Sequence, residues 1–116
     1  MTVSGTDLKN EVIRIAQENP DFIYDIGVGE KCVYVKDGKG SCLIGRALFN
    51  LGLIDASFEN SDRNDDGFDF VAETLDLDID RETLDFLERV QHRQDRGWTW
   101  GSAVDDARVP FLEPLS

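Results

Sequence analysis

The sequence predicts a mostly helical α+β domain with one two-stranded antiparallel sheet. Three observations carry this. Five segments repeat apolar residues at helical spacing. Two short runs rich in β-branched and aromatic residues lie between the first and second of them. The 116 residues, 41% hydrophobic and 31% charged, suffice for one core but not two, so residues 1–116 form a single domain.

Leu8, Val12, Ile15 and Ala16 set a first helix over 6–18, with Thr6 as N-cap and Asn19-Pro20 as its stop. Residues 22–26 and 31–36 read as two strands joined by Gly27-Val28-Gly29. So short a link pairs them antiparallel. After Asp37-Gly38-Lys39-Gly40, Ser41 is placed to cap a helix over 42–51 whose stripe is Ile44, Ala47, Leu48 and Leu51, closed by Gly52. Residues 53–61 are a short apolar connection. Phe68, Val71, Ala72 and Leu75 form a further helical face. Asp80 caps a helix over 81–96 that Gly97 ends, and Thr99 caps a last one over 100–108 before Pro110. Phe111 and Leu112 predict that the tail 109–116 docks on the domain.

Charge is the strongest compositional signal. Twelve bases stand against 24 acids, a net charge of −12. Residues 1–54 carry 7 acids and 6 bases, whereas 55–116 carry 17 acids and 6 bases. Within 55–80 Arg63 is the single base among 10 acids. Such a surface argues against direct contact with nucleic acid and favours a basic partner or a cation. No apolar run exceeds four residues, so no membrane span is expected. The first residues lack the pattern of a signal peptide, so the expected compartment is the cytoplasm, with Cys32 and Cys42 reduced and buried.

Two motifs stand out together: Ser41-Cys42-Leu43-Ile44-Gly45-Arg46-Ala47-Leu48, and the run from Val90 through Gln91, Gln94, Asp95, Gly97, Trp98 and Trp100 to Val104. The pair resembles small uncharacterised proteins of actinobacteria and their bacteriophages, over residues 8–107 of this chain. The resemblance implies a cytoplasmic accessory protein and assigns no residue a role.

Several residues are candidates for chemistry. Asp62-Arg63-Asn64-Asp65-Asp66-Gly67-Phe68-Asp69-Phe70-Val71-Ala72-Glu73 fits an EF-hand loop at every fixed position. Side-chain oxygens of Asp62, Asn64 and Asp66, the Phe68 carbonyl and a bidentate Glu73 would hold Ca²⁺. Against this stand the polar Asp69 at an ordinarily apolar position and the lack of a second hand. Asp85, Glu88, His92 and Asp95 share one helix face, which reads as a solvated face or as a mixed-ligand metal site. Cys42, at a helix start, would need His92 as its base to act as a nucleophile. Gln91 and Gln94 continue an apolar stripe and are expected to bind backbone groups of the turn 96–98. Of Trp98 and Trp100, one should enter the core and the other stay exposed as an anchor.

The reading adopted is a non-enzymatic, acidic interaction module without a cofactor. Its contact residues are Asp76, Asp78, Asp85, Glu88, Asp95, Trp98 and Trp100, and its partner a basic protein surface of the kind that holds nucleic acid. The alternative is a calcium or metal module on 62–73, and the third reading a Cys42-dependent enzyme.

Overall fold

The computed structural model describes residues 5–24, 33–64 and 67–108. Helix α1 spans Gly5–Glu18. It begins one residue earlier than expected, because the Gly5 N–H donates to the Asp78 carbonyl at 3.2 Å and anchors the helix start to a distant segment. Thr6 therefore lies inside the helix, exposed, and caps nothing. Asn19 ends α1 by donating from its side chain to the Ile15 carbonyl at 3.0 Å.

The sheet is two-stranded and antiparallel, but its partners differ from the expected ones. β1, Val35–Lys36, pairs with β2, Lys39–Gly40, in the register Val35↔Gly40 and Lys36↔Lys39. The cause is the turn between them. Asp37 and Gly38 both adopt positive φ, 56° and 76°, the two-residue hairpin geometry that folds a strand straight back. Glu59 secures it, its carboxylate accepting the Asp37 and Gly38 N–H groups at 3.0 and 3.1 Å. Ile23, expected to pair with the 31–36 strand, instead bridges Thr99. The turn at 27–29 and Cys32 lie outside the described residues.

Helix α2 spans Leu43–Asn50, and its N-cap is Cys42 rather than Ser41. The Cys42 sulfur accepts the Gly45 N–H at 3.3 Å, while the Ser41 hydroxyl bonds the Tyr24 hydroxyl at 2.6 Å. Gly45 is required by contact: a Cβ there would lie 2.2 Å from the Tyr34 carbonyl oxygen. α2 thus rests directly on the backbone entering β1. Residues 53–61, read as irregular, contain a 3₁₀ turn, Ala56–Asn60, capped by Asp55.

Helices α3, Phe68–Thr74, α4, Arg81–Asp95, and α5, Trp100–Arg108, follow. Asp80 caps α4, accepting the Thr83 N–H at 2.7 Å, and Thr99 caps α5, accepting the Ser102 N–H at 3.2 Å. Gly97 ends α4 at φ 92°, with Trp98 N–H donating back to the Arg93 carbonyl. α3 closes in the same way on a residue with a side chain, Asp76, at φ 54°, and Leu77 N–H donates to the Ala72 carbonyl. The tail 109–116 lies outside the described residues.

The core forms where α1, α2, α4 and α5 meet. Trp100, Tyr34, Phe68, Leu8, Leu48 and Leu87 are among its fully buried side chains. Burial of each stabilises the fold by roughly 1.5–3 kcal/mol. α4 organises the rest through the side chains of its two glutamines, which reach the starts of other helices and not only the turn 96–98 as expected. Gln94 accepts the Leu43 N–H at 2.8 Å, the first amide of α2. Gln91 accepts the Phe68 N–H at 3.2 Å, the first amide of α3, and donates to the Tyr34 hydroxyl at 2.6 Å. One stripe on α4 thereby caps two other helices.

Candidate interaction surface

The acidic half of the chain forms a continuous set of elements: α3, the segment 75–80, and α4. Residues 75–80 alternate strictly. Leu75, Leu77 and Ile79 are half-buried against the core, while Asp76, Asp78 and Asp80 are exposed. Asp76 stands at the left-handed end of α3 and Asp78 in the irregular segment that leads to α4, so both carboxylates lie outside the helices. Asp80 turns its side chain to cap α4, leaving Asp76 and Asp78 to solvent.

On α4, Asp85 pairs with Arg81 at 3.3 Å. Glu88 lies one turn further along, half-buried, and its carboxyl is pushed above the usual carboxylate range. Burial is the main cause, with the negative charges of Asp69 and Asp85 adding to it. The acids of α3 and α4 thus share one electrostatic environment. Asp95 is exposed at the far end of α4, about 15 Å from Asp85 along the axis. It accepts a hydrogen bond from Gln94 at 2.8 Å. Among the described residues, Asp69, Glu73, Asp76 and Asp78 stand in no ion pair, although each is exposed.

Of the two tryptophans, Trp100 is completely buried as the first residue of α5 and cannot touch a partner. That removes it from the expected contact set. Trp98 remains 41% exposed, with the Arg93 guanidinium 5.6 Å from its ring centre. Arg93 also pairs with Asp106, so this arginine is already neutralised. The apolar group lying within the acidic elements is Phe70, 50% exposed on α3. Composition and motif do not single it out. Helical spacing held the signal: Phe68, Val71, Ala72 and Leu75 fill the inward stripe and leave Phe70 facing out.

Of the residues expected to hold calcium, Asp62, Asn64, Phe68 and Glu73 lie among the described residues. Asn64 is buried and clamps β1. Its side-chain oxygen accepts the Val35 N–H at 2.9 Å, and its amide donates to the carbonyls of Val35 at 2.9 Å and Glu59 at 3.3 Å. Phe68 opens α3 with its ring in the core, Glu73 projects from the exposed face of that helix, and Asp62 is exposed. Asp66 lies outside the described residues. Among the described residues no three His, Cys, Asp or Glu side chains gather closely enough to hold a metal, and Asp85, Glu88, His92 and Asp95 form no such group.

Cys42 and His92 are likewise apart in environment. Cys42 is a fully buried free thiol, whereas His92 is exposed on α4. A groove of about 200 Å³ between α1 and α5 is lined by Ala16, Gln17, Pro20, Gly101, Val104 and Asp105 and brings together no catalytic pair. No family model, curated protein or solved structure matches this chain. No described helix is long and apolar enough to cross a membrane.

Proposed function

We propose that this protein is an acidic interaction module that binds a basic protein surface in the cytoplasm. Its working face is the belt of Asp69, Glu73, Asp76, Asp78, Asp85 and Glu88, with Phe70 as the apolar contact and Asp95 and Trp98 at the rim. The observation that carries this reading is the set of exposed, unpaired carboxylates on α3 and the segment after it, Asp69, Glu73, Asp76 and Asp78, continued on α4 by Asp85 and the half-buried Glu88. Like charges held together weaken the free fold, and a partner rich in Lys and Arg relieves that repulsion. The exposed carboxylates of Asp76 and Asp78, set outside the helices, suit a partner groove that ordinarily takes phosphates. An accessory role of this kind also agrees with the resemblance to small phage and actinobacterial proteins.

The test compares two double neutralisations. Asp76→Asn with Asp78→Asn acts on the belt, and Asn keeps the left-handed conformation that position 76 needs. Glu18→Gln with Asp21→Asn is the matched control in the near-neutral half. Basic proteins retained from a bacterial lysate should be lost with rising salt, displaced by duplex DNA, and lost in the belt variant but not the control. Equal loss in both variants, or retention insensitive to salt, would remove the acidic belt as the binding face.

A further inference from the structure

Arg46 lies in the first turn of α2, half-buried. Its guanidinium carbon is 4.8 Å from the Trp100 ring centre and 5.3 Å from that of Phe22. The two rings contact each other with centroids 4.4 Å apart. A guanidinium held against aromatic faces has its stem fixed and its hydrogen-bonding edge left for a planar acceptor. Yet among the described residues no acceptor takes a hydrogen bond from this side chain, and no acid pairs with it. Arg14, Arg81 and Arg93 all have acidic partners. Arg89 and Arg96 also have no acidic partner among the described residues, and what sets Arg46 apart is that its guanidinium is held against two rings.

A second observation falls on the same stack. The Trp100 indole nitrogen is buried and has no acceptor. An indole N–H can only donate, and leaving a buried donor unmet costs about 1–3 kcal/mol. Arg89 Nε is also buried and unmet, but its guanidinium already donates to the Ala107 carbonyl at 2.9 Å. At the Trp100 stack both polar groups are donors only, one of them cationic, and neither is engaged.

We propose that Arg46 and Trp100 form a receptor for a single oxyanion, a carboxylate or phosphate group. Phe22 is the cover that turns aside to admit it. An oxyanion offers several acceptor oxygens, enough for the guanidinium fork and the indole N–H together. Trp100 is fully buried, so access requires a movable neighbour, and Phe22 is 39% exposed on the ring it covers. Arg46 and Phe22 come from the near-neutral residues 1–54 and Trp100 from the acidic 55–116, so the guanidinium is the charge at the stack that attracts an anion. It stands independently of the acidic-belt reading.

The experiment follows the two indole N–H resonances of ¹⁵N-labelled protein while inorganic phosphate, or separately acetate, is added against sodium chloride of equal ionic strength. Trp98→Phe assigns the Trp100 signal. The expected result is a saturable downfield shift of the Trp100 N–H with phosphate or acetate, no such shift with chloride, and a Trp98 signal that stays in place. The concentration needed for half-saturation tells the phosphate arm from the carboxylate arm. Arg46→Gln should abolish the shift, Arg46→Lys should weaken it several-fold by keeping the charge without the fork, and Phe22→Ala should lower the half-saturation concentration. No saturable movement in the parent protein overturns the proposal, whatever the variants do. So does an equal shift in Arg46→Gln protein that retains its melting transition.

Discussion

Gln94 of α4 accepts the first amide of α2, Leu43 N–H, across 51 positions of sequence and at 2.8 Å. The contact is buried, with Gln94 only 1% exposed. The amide of a helix start has no partner within its own helix, so α2 depends on α4 to satisfy it. The junction between the N-terminal and C-terminal halves of the chain is therefore polar at its centre.

Replacing Gln94 by Leu keeps the volume and removes the acceptor. The Leu43 N–H is then buried unmet, and the fold should lose about 2 kcal/mol. Gln91→Leu, at a half-buried position, should lose less. Urea unfolding of the two variants measures both. A smaller loss at 94 than at 91 would contradict the capping role of Gln94.

Gly45 admits no side chain, because the Tyr34 backbone fills the space a Cβ would take. Gly45→Ala must push α2 off β1 and should cost about 3 kcal/mol or more. Gly52→Ala is the comparison. It has open space around it and only its positive φ to oppose the substitution, so it should cost about 1 kcal/mol. Thermal melting ranks the two, and the reverse order would mean the helix–strand contact is looser than described.

Asp76 holds a left-handed conformation that glycine adopts without strain. Asp76→Gly should therefore stabilise the protein by roughly 0.5–1 kcal/mol. A destabilised variant in denaturant titration would show that the Asp76 side chain contributes more to the fold than its conformation costs.

Glu88 has a carboxyl whose folded-state pKa lies above its ordinary value of 4.5, chiefly because it is partly buried. The native state thus binds this proton more tightly than the unfolded chain does. Its contribution to stability is present below the unfolded value and is lost as pH rises through the folded one. Glu88→Gln should melt higher than the parent at pH 7, and the gap should close as the pH falls toward 4.5 and below. A gap that persists unchanged in acid would assign the effect to packing instead of ionisation.

Cys42 should resist alkylation in the native protein, since it is fully buried and its sulfur accepts the Gly45 N–H. Peptide mapping after brief treatment with iodoacetamide distinguishes it from Cys32. Rapid labelling at Cys42 would point to an open α2 start and revive a chemical role for the thiol.

The helices are legible in the chain alone, because their signals are local. Apolar spacing located all five. Asp80 and Thr99 capped the helices that follow them, and Gly52 and Gly97 closed the helices before them, because caps and left-handed ends are written in adjacent residues. The charge asymmetry was equally plain, since exposed acids need no fold to be counted. Long-range packing set the strand partners, the burial of Trp100 in place of Trp98, and the outward turn of Phe70 among the acids. It also converted Asn64 from a candidate calcium ligand into a clamp on β1, and aimed Gln91 and Gln94 at the amides of α3 and α2. The physical reason is shared by all of these. A polar side chain takes whichever unmet donor or acceptor the packing brings to it, and a large ring fills whichever space the helices leave, and both are set by residues far away along the chain.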